Sequence, residues 1–249
     1  MNEMNNLLEQ ADHDMLLKMV KDSFRRTLVH YGQWFSEVHH QLGGERAMEV
    51  EDAVWEKSFN NQLTRLGKTL GFEIIDGVPA ALHAMSRADL LDLLGKMGVN
   101  WLANDGIWFQ AVENPFGMND AKRCNDSCWG RFSPFEAKRI KRLLDLPDNG
   151  GIPALKKALA FRMYATINRQ SVEDIDENTI IFRMNDCRVQ AARKRRGLAD
   201  YPCKSGGMVE YPYFAETIDS RIKTECIGCP PDDHPEEWYC AWKFTLVAP

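Results

Sequence analysis

The amino-acid sequence predicts an α+β fold, in which a duplicated helical N-terminal region is followed by a small antiparallel-sheet, cysteine-rich domain. Helical apolar spacing dominates the first part of the chain and repeats along it, which indicates one supersecondary unit used twice. After Arg169 the pattern changes to short runs rich in β-branched and aromatic residues, which are typical of strands. Five of the seven cysteines also lie in this last part. We therefore expect a helical region over residues 1–150, and a linking helix with a cysteine-rich α+β domain over residues 151–249.

The helical region contains an internal duplication. The segment YGQWFSEVHHQLGGERAMEVEDAVW, which begins at Tyr31, aligns without a gap with DGIWFQAVENPFGMNDAKRCNDSCW, which begins at Asp105. Aromatic residues, glycines and an aspartate recur in register: Gly32, Trp34, Phe35, Gly43, Asp52 and Trp55 recur as Gly106, Trp108, Phe109, Gly117, Asp126 and Trp129. The repeats extend over about 12–70 and 86–144, and we expect two similar helical units.

Each copy is expected to contain two helices. Asp12 and Ser86 precede apolar runs and are candidate N-cap residues, whose side chains accept hydrogen bonds from the first helical turn. Gly43 and Gly117 fall where a left-handed C-terminal cap would end the first helix of each copy. Pro134, which follows a serine, predicts that a separate helix begins inside the second copy.

The cysteine-rich part is expected to form a small antiparallel sheet with a helix packed on one face. A linking helix opens at Pro153 and closes near Asn168. We expect strands at 179–184, 221–226 and 239–247, an acidic turn at 171–178, a short exposed helix within 189–197, and a longer helix that ends at Ile218. The short helix carries the basic run RKRR, which we interpret as a solvated face.

Composition and charge exclude several classes of function. The net charge is −5, so the chain lacks the basic surplus that nucleic-acid binding usually requires, and we expect no nucleic-acid partner. No apolar stretch approaches the roughly 18 to 20 residues of a membrane span. The N-terminal segment MNEMNNLLEQADHD is polar and acidic, which argues against a secretory signal. With seven cysteines and no export signal, we expect a cytoplasmic protein whose thiols stay reduced.

The cysteines of the last part are the strongest chemical feature. Cys226 and Cys229 form a C-x-x-C pair, and Cys187, Cys203 and Cys240 lie close by in sequence. Zinc in proteins prefers four tetrahedral ligands drawn from cysteine, histidine and acidic side chains. We therefore expect these five cysteines to include the ligands of a bound metal, with zinc ahead of an iron–sulfur cluster. A redox-active C-x-x-C and free structural thiols are the alternatives.

Other residues near the cysteines are alternative ligands or core residues. A ligand could also come from one of four nearby side chains, Asp186, Asp232, Asp233 and His234, although the setting of His234 beside a proline favours a plain loop residue.

Cys124 and Cys128 align with Val50 and Val54 of the first copy, so we expect them to be buried core residues.

Each copy of the repeat also carries a candidate ligand-binding pair. Asp52 and Asp126 lie one turn before a tryptophan in their respective copies, and Trp34 and Trp108 recur upstream. One interpretation is a polar pair and aromatic walls around a small-molecule pocket. The other is that the acids hold neighbouring loops by hydrogen bonds and that the aromatic residues belong to the core.

The C-terminal sequence resembles known families. The run RMNDCRVQAARKRRGLADYPCKSGGMVEY, followed by IDSRIKTECIGCPPDDHPEEWYCAWKFTL, resembles an uncharacterised family of prokaryotic proteins labelled only "cytosolic protein". The stretch from Lys223 to Phe244 is also similar to the end of 4-vinyl-reductase-type domains, in which cysteines can bind zinc beside a small-molecule pocket. That resemblance implies Cys203, Cys226 and Cys240 as ligands, with Cys187, Asp186 or Cys229 as the fourth.

The sequence thus predicts a metal-binding protein, with zinc as the metal, that binds a small organic ligand between its helical and cysteine-rich parts. One alternative is a hydrolase-type enzyme that uses an open metal site or a reactive cysteine. Another is a protein-interaction module with a structural metal. Four cysteine ligands would indicate a structural metal, whereas three ligands and an open position would indicate catalysis. The sequence does not decide between these, and it leaves the oligomeric state open.

Overall fold

The structure is a computed structural model that describes residues 7–248. The first six residues of the polar N-terminal segment lie outside this range. The chain divides into two compact units after Ala84. Unit 1 contains α1 (His13–Leu42), α2 (Gly44–Leu70), a two-stranded ladder of β1 (Ile74–Ile75) and β2 (Val78–Pro79), and α3 (Ala80–His83). Within the described residues, no helix combines the length and the apolar character needed to cross a membrane.

Unit 2 begins with the second copy of the helical pair and continues into the sheet. Its helices are α4 (Arg87–Phe116), α5 (Met118–Leu143), α6 (Gly151–Ala160), α7 (Arg188–Arg195) and α8 (Lys204–Ile218), with a 3₁₀ turn at Met163–Thr166. Its strands are β3 (Arg169–Asp176), β4 (Thr179–Asp186), β5 (Ile222–Gly228) and β6 (Cys240–Leu246). The strand order is β3-β4-β6-β5, and every neighbouring pair is antiparallel. The predicted α+β fold is therefore confirmed.

The two helical pairs confirm the duplication. In each copy a single glycine, Gly43 or Gly117, separates two long helices. The N-caps are also as predicted, since Asp12 accepts from the Met15 amide at 2.7 Å and Ser86 forms a capping box with Asp89.

The two linking glycines differ from the predicted cap in one respect. Gly43 has φ 87° and ψ 164°, and Gly117 has φ 89° and ψ 169°. These values combine a positive φ with an extended ψ, so the residues are not in the left-handed helical conformation. Essentially only glycine adopts this region, because a Cβ would clash with the backbone there. The recurrence of glycine at this one-residue link is thereby explained.

The helix start predicted at Pro134 is wrong. The helix α5 runs unbroken through Pro134 to Leu143. The serine before it does not cap a helix, because Ser133 Oγ instead donates to the Glu210 carbonyl oxygen of α8 at 2.7 Å. Packing of α5 along α8 thus overrides a local signal that is ordinarily strong.

The sheet contains one more strand than the sequence predicted. Residues 169–176 were expected to include an acidic turn, but they form the edge strand β3. Most of its side chains are exposed, since β3 pairs only with β4 and carries no core on its open edge. Acidic residues are favourable on such an edge because they oppose pairing with other chains.

One face of the sheet is covered by α6 and α8, and the core lies between them. Trp242, Phe244, Phe182 and Phe214 are almost completely buried there. The helix α8 approaches the sheet closely at Gly207, where an added Cβ would lie 2.5 Å from Cζ2 of Trp242. The glycine therefore sets how near the N-terminal end of α8 comes to β6.

A buried arginine joins the helices of unit 2. Arg162 is fully buried, and its Nε lies 3.0 Å from Glu136 Oε2 of α5 while its Nη2 lies 2.5 Å from Glu210 Oε1 of α8. Glu136 also accepts the Met163 amide at 2.8 Å. The second repeat is thus tied to the helix that covers the sheet.

The sequence grouped both repeats into one helical region through residue 150, whereas the compact units divide at Ala84.

Candidate functional site

The five cysteines of the last part come from four separate segments of unit 2. Cys187 leaves β4 and precedes α7, and Cys203 directly precedes α8. Cys226 lies within β5, Cys229 follows that strand, and Cys240 begins β6. Cys229 and Cys240 are buried in the core, and the other three pack against it. All seven cysteines of the chain are free thiols.

Three of these cysteines are in contact, and we call Cys203, Cys229 and Cys240 the thiol cluster. Cys203 Sγ lies 3.5 Å from Cys229 Sγ. Cys229 also has a side-chain hydrogen bond with Cys240. Cys229, which the family resemblance offered only as one of three candidates for the fourth ligand, is therefore the central member of the cluster.

Hydrogen bonds within the cluster shift the pKa values of two of its thiols in opposite directions. The hydrogen bond from Cys229 lowers the pKa of Cys203, although burial acts in the opposite direction. Gln190 Nε2 also lies within hydrogen-bonding reach of Cys203 Sγ, at 3.6 Å. The hydrogen bonds with Cys203 and Cys240 raise the pKa of Cys229 far above its ordinary value. Of these two thiols, Cys203 is therefore the one that loses its proton more readily.

The two remaining cysteines border the cluster. Burial raises the pKa of Cys187 to about 12, and the nearby Cys240 and Cys203 contribute to this. Burial also raises the pKa of Cys226, where Lys204 opposes the effect. Cys226 pairs with Trp242 across β5 and β6, so its side chain shares the helix-covered face of the sheet.

Two residues that sequence reasoning missed hold the segments around the cluster. Gln190 is buried on α7 and forms two hydrogen bonds with the backbone of Tyr201. Its Oε1 accepts from the Tyr201 amide at 2.8 Å, and its Nε2 donates to the Tyr201 carbonyl oxygen at 2.9 Å. Lys204 donates its amide to the Pro230 carbonyl oxygen at 2.9 Å, and its Nζ lies 2.7 Å from Asp232 Oδ2. The signal for Lys204 was its place beside a cysteine, whereas Gln190 lay just before the basic run RKRR and gave none.

The alternative ligands are engaged elsewhere or exposed. His234 Nε2 lies 2.9 Å from Asp200 Oδ2, and Asp232 pairs with Lys204. Asp186 and Asp233 are exposed. Across residues 7–248, no group of three or more histidine, cysteine or acidic side chains has an arrangement that could hold a metal ion. The thiol cluster is therefore not a closed coordination sphere in the conformation described.

The expectation that Cys124 and Cys128 are buried is wrong. Both are exposed on α5, and their repeat mates Val50 and Val54 are exposed on α2. The alignment thus paired equivalent positions of the two copies correctly, but the helix face that carries these positions is exposed in both copies. The buried residues of α5 instead follow a different stripe, which includes Trp129 and packs toward α8 and the 3₁₀ turn.

The four predicted ligand-binding residues lie in different units. Trp34 and Asp52 belong to unit 1, and Trp108 and Asp126 belong to unit 2. The two tryptophans are 62% and 68% exposed, so they are not core residues. Asp126 lies 3.0 Å from Lys122 Nζ and is placed beside the start of α8. Trp34 lines a cavity of about 540 Å³ between α1 and α2.

Comparison with known proteins identifies a family but no activity. No curated protein matches the chain. No solved structure matches it either. The model of DUF6125, a family of unknown function, matches residues 83–246, which cover unit 2 almost from end to end and amount to well over half of the chain. The chain therefore belongs to the DUF6125 family.

Proposed function

We propose that unit 2 is a zinc-binding domain in which Cys203, Cys229 and Cys240 supply three thiolate ligands. The observation that carries the proposal is the 3.5 Å contact between Cys203 Sγ and Cys229 Sγ, together with a hydrogen bond between Cys229 and Cys240. With Zn–S bonds of about 2.3 Å in a tetrahedron, two sulfur ligands lie about 3.8 Å apart. The separation of the Cys203 and Cys229 sulfur atoms is therefore close to that of two sulfur ligands of one zinc ion.

We assign the fourth ligand position to Cys187. It packs against the core, and it is close enough to Cys203 and Cys240 for their charges to raise its pKa. Cys226 lies on the more open side of the cluster, beside Lys204 and Asp232. The similarity to 4-vinyl-reductase-type domains supports zinc at cysteines of this segment, although it implies Cys226 where the contacts favour Cys229.

The proposed zinc is structural. Four thiolates close a tetrahedral sphere and leave no position for water or substrate. The proposed ligands come from the end of β4, the start of α8, the end of β5 and the start of β6. A metal at this point would hold four separate segments together, and its binding energy would add to the stability of the folded domain. A reducing compartment such as the cytoplasm keeps the thiols available for zinc.

Zinc stoichiometry tests the proposal. We expect about one zinc ion per chain in protein purified reduced and without chelators, as measured by plasma mass spectrometry. Cys203→Ser and Cys229→Ser should lose most of it, whereas Cys124→Ser, which changes an exposed cysteine outside the thiol cluster, should retain it. Protein that carries no stoichiometric metal, and takes up none from a zinc buffer, would rule the proposal out.

A reactive-cysteine enzyme is a second candidate. It is favoured by the lowered pKa of Cys203 and by its place before the first turn of α8, where the helix dipole stabilises a thiolate. In this case the rate of alkylation at Cys203 of the metal-free protein should rise with pH, and the inflection of that rise should lie below the ordinary thiol pKa of about 8.5. Peptide mapping after iodoacetamide pulses would show it, and an inflection at or above that value would exclude it.

We also propose that unit 2 binds a small organic anion. A cavity of about 630 Å³ separates α4 from the start of β3 and α7. Arg169 and Arg188 lie in its wall, as does Lys96, which is paired with Asp92 of the same wall. Asn168 accepts the Arg188 amide at 2.9 Å, and its buried Nδ2 has no hydrogen-bond partner among residues 7–248. These donors and charges suit a carboxylate. Benzoate should bind saturably, and Arg169→Ala should weaken it; equal binding of benzyl alcohol would contradict this assignment.

A further inference from the structure

Unit 1 contains a second cavity, which is independent of the thiol cluster and lies outside the region that the family model matches. It has a volume of about 540 Å³ and lies between α1 and α2. Its wall is largely aromatic and aliphatic: Tyr31, Trp34, Phe35, Val38, Val50 and Val54. Cavities of this size and character commonly hold small organic molecules, with a few polar groups fixing their orientation.

One acidic side chain lies in the apolar wall of this cavity. Glu51 is only 9% exposed, and its Oε1 accepts a hydrogen bond from the Tyr31 hydroxyl at 3.0 Å. Its Oε2 is buried and has no hydrogen-bond partner within the described part of the chain. Buried carboxylate oxygens in folded proteins normally have a donor. The unmatched oxygen therefore indicates that a donor is supplied from outside the chain.

The internal duplication shows what the equivalent surface of the second helical pair holds. There, the ring of Tyr201 packs edge-on against Phe109, with centroids 5.2 Å apart. Its hydroxyl lies 3.5 Å from Asn125 Oδ1. Lys122 Nζ lies 4.8 Å from the ring centroid and 3.3 Å from the hydroxyl. In unit 2, then, a ring with an adjacent cation occupies this surface.

The first helical pair keeps the aromatic residue but changes the charges. Phe35 corresponds to Phe109, whereas Glu51 stands where the second copy has Asn125, and Met48 stands where it has Lys122. The first cavity thus has no lysine at the position of Lys122, and it carries a carboxylate where the second copy carries a neutral amide; His30 is the one basic side chain among the described residues that line it. A ligand that fits it should bring both the ring and the positive charge.

We propose that the unit 1 cavity binds a small organic cation, in which an ammonium group on a short chain is attached to an aromatic ring. The ammonium group donates to Glu51 Oε2, and the ring packs against Trp34 and Phe35. The aromatic walls also attract a cation through their negatively charged faces. The ligand thereby supplies the donor that Glu51 lacks and the ring that Tyr201 supplies in the second copy.

Binding of three probes to the full-length protein tests the proposal. Phenethylammonium, tryptammonium and phenyltrimethylammonium would be titrated by isothermal calorimetry, with 2-phenylethanol as the uncharged match of the first. We expect saturable binding of phenethylammonium or tryptammonium, at least tenfold tighter than that of the alcohol. Phenyltrimethylammonium, which has no N–H donor, should bind more weakly than either amine.

Three variants locate the binding. Glu51→Gln keeps the acceptor for Tyr31 but removes the charge, and should weaken amine binding at least tenfold. Trp34→Ala should also weaken it, whereas Trp108→Ala, which removes the equivalent exposed tryptophan of unit 2, should leave it unchanged. Absence of binding by all three cations would overturn the proposal. Equal binding of the alcohol, or unchanged affinity in Glu51→Gln with retained helicity, would overturn it as well.

Discussion

Replacing Arg162 by methionine tests the buried ion-pair network that ties the second repeat to the sheet. The guanidinium is fully buried and contacts Glu136 and Glu210 at 3.0 and 2.5 Å. Removing one partner of a buried pair costs about 3–5 kcal/mol, because a charge is left uncompensated in the interior. Since Arg162→Met leaves two carboxylates in that state, we expect a loss near the upper end of this range. Burial raises the pKa of Glu210 even though the charge of Arg162 acts to lower it, so the interior disfavours the ionised Glu210 carboxylate even with Arg162 in place.

Urea unfolding, followed by near-ultraviolet circular dichroism, measures this loss. With a slope of about 2 kcal/mol per molar urea, the midpoint of the unit 2 transition should fall by about 2.5 M. The matched control is the triple variant Arg162→Met/Glu136→Gln/Glu210→Gln, which removes the carboxylate charges together with the guanidinium. It should recover at least half of the lost stability. A loss below about 1 kcal/mol in the single variant, or a triple variant that is no more stable, would refute the reasoning.

Three further perturbations have defined outcomes. Gly207→Ala places a Cβ 2.5 Å from buried Trp242 and should lower the free energy of unfolding by about 2–3 kcal/mol, whereas Gly106→Ala, which meets no atom within 4 Å, should be neutral or stabilising. Hydrogen bonds from the Arg221 side chain and from the amides of Arg221 and Gly151 lower the pKa of Asp219 to about 2. The ionised carboxylate therefore adds about 2 kcal/mol to the free energy of unfolding. This stabilisation is fully present above the pKa of about 4 that Asp219 has in the unfolded chain, and it disappears as the pH falls to about 2. Asp219→Asn should therefore be less stable than the wild type in denaturant titrations at pH 7 and equally stable near pH 2. Because the thiol of Cys229 has a raised pKa, it must lose a proton when zinc binds, so the affinity for zinc should rise as the pH is raised from 6 to 8. Competition with a chromophoric chelator measures this affinity, and an affinity that does not change with pH would contradict thiolate ligation.

Local patterns were sufficient for much of the fold. The duplication, the N-caps at Asp12 and Ser86 and the strand at 179–184 all follow from periodicity and from residues within one turn or one strand. The edge strand β3 was missed, because its acidic sequence reflects exposure at a sheet edge and not a turn. The helix start at Pro134 was predicted wrongly because contacts with α8 decide that segment.

The candidate site was predictable in composition but not in contacts. Five clustered cysteines could be identified from the sequence, whereas the central position of Cys229 depends on how β5 ends beside the start of α8. The partners of Arg162 lie 26 and 48 residues away in the sequence, so nothing local predicts its burial. The unit 1 cavity that Glu51 lines could likewise not be predicted from the sequence. The repeat aligned Glu51 with Asn125, but only the structure shows Tyr201 on one surface and a cavity on the other.

The most direct test of the proposed zinc site is X-ray absorption at the zinc K-edge of the purified full-length protein. The account predicts a first shell of four sulfur atoms at about 2.3 Å, which drops to three sulfurs and one lighter atom in Cys187→Ser. Cys226→Ser should leave the four-sulfur shell unchanged. A first shell made of nitrogen or oxygen atoms at about 2.0–2.1 Å would contradict ligation by the thiol cluster.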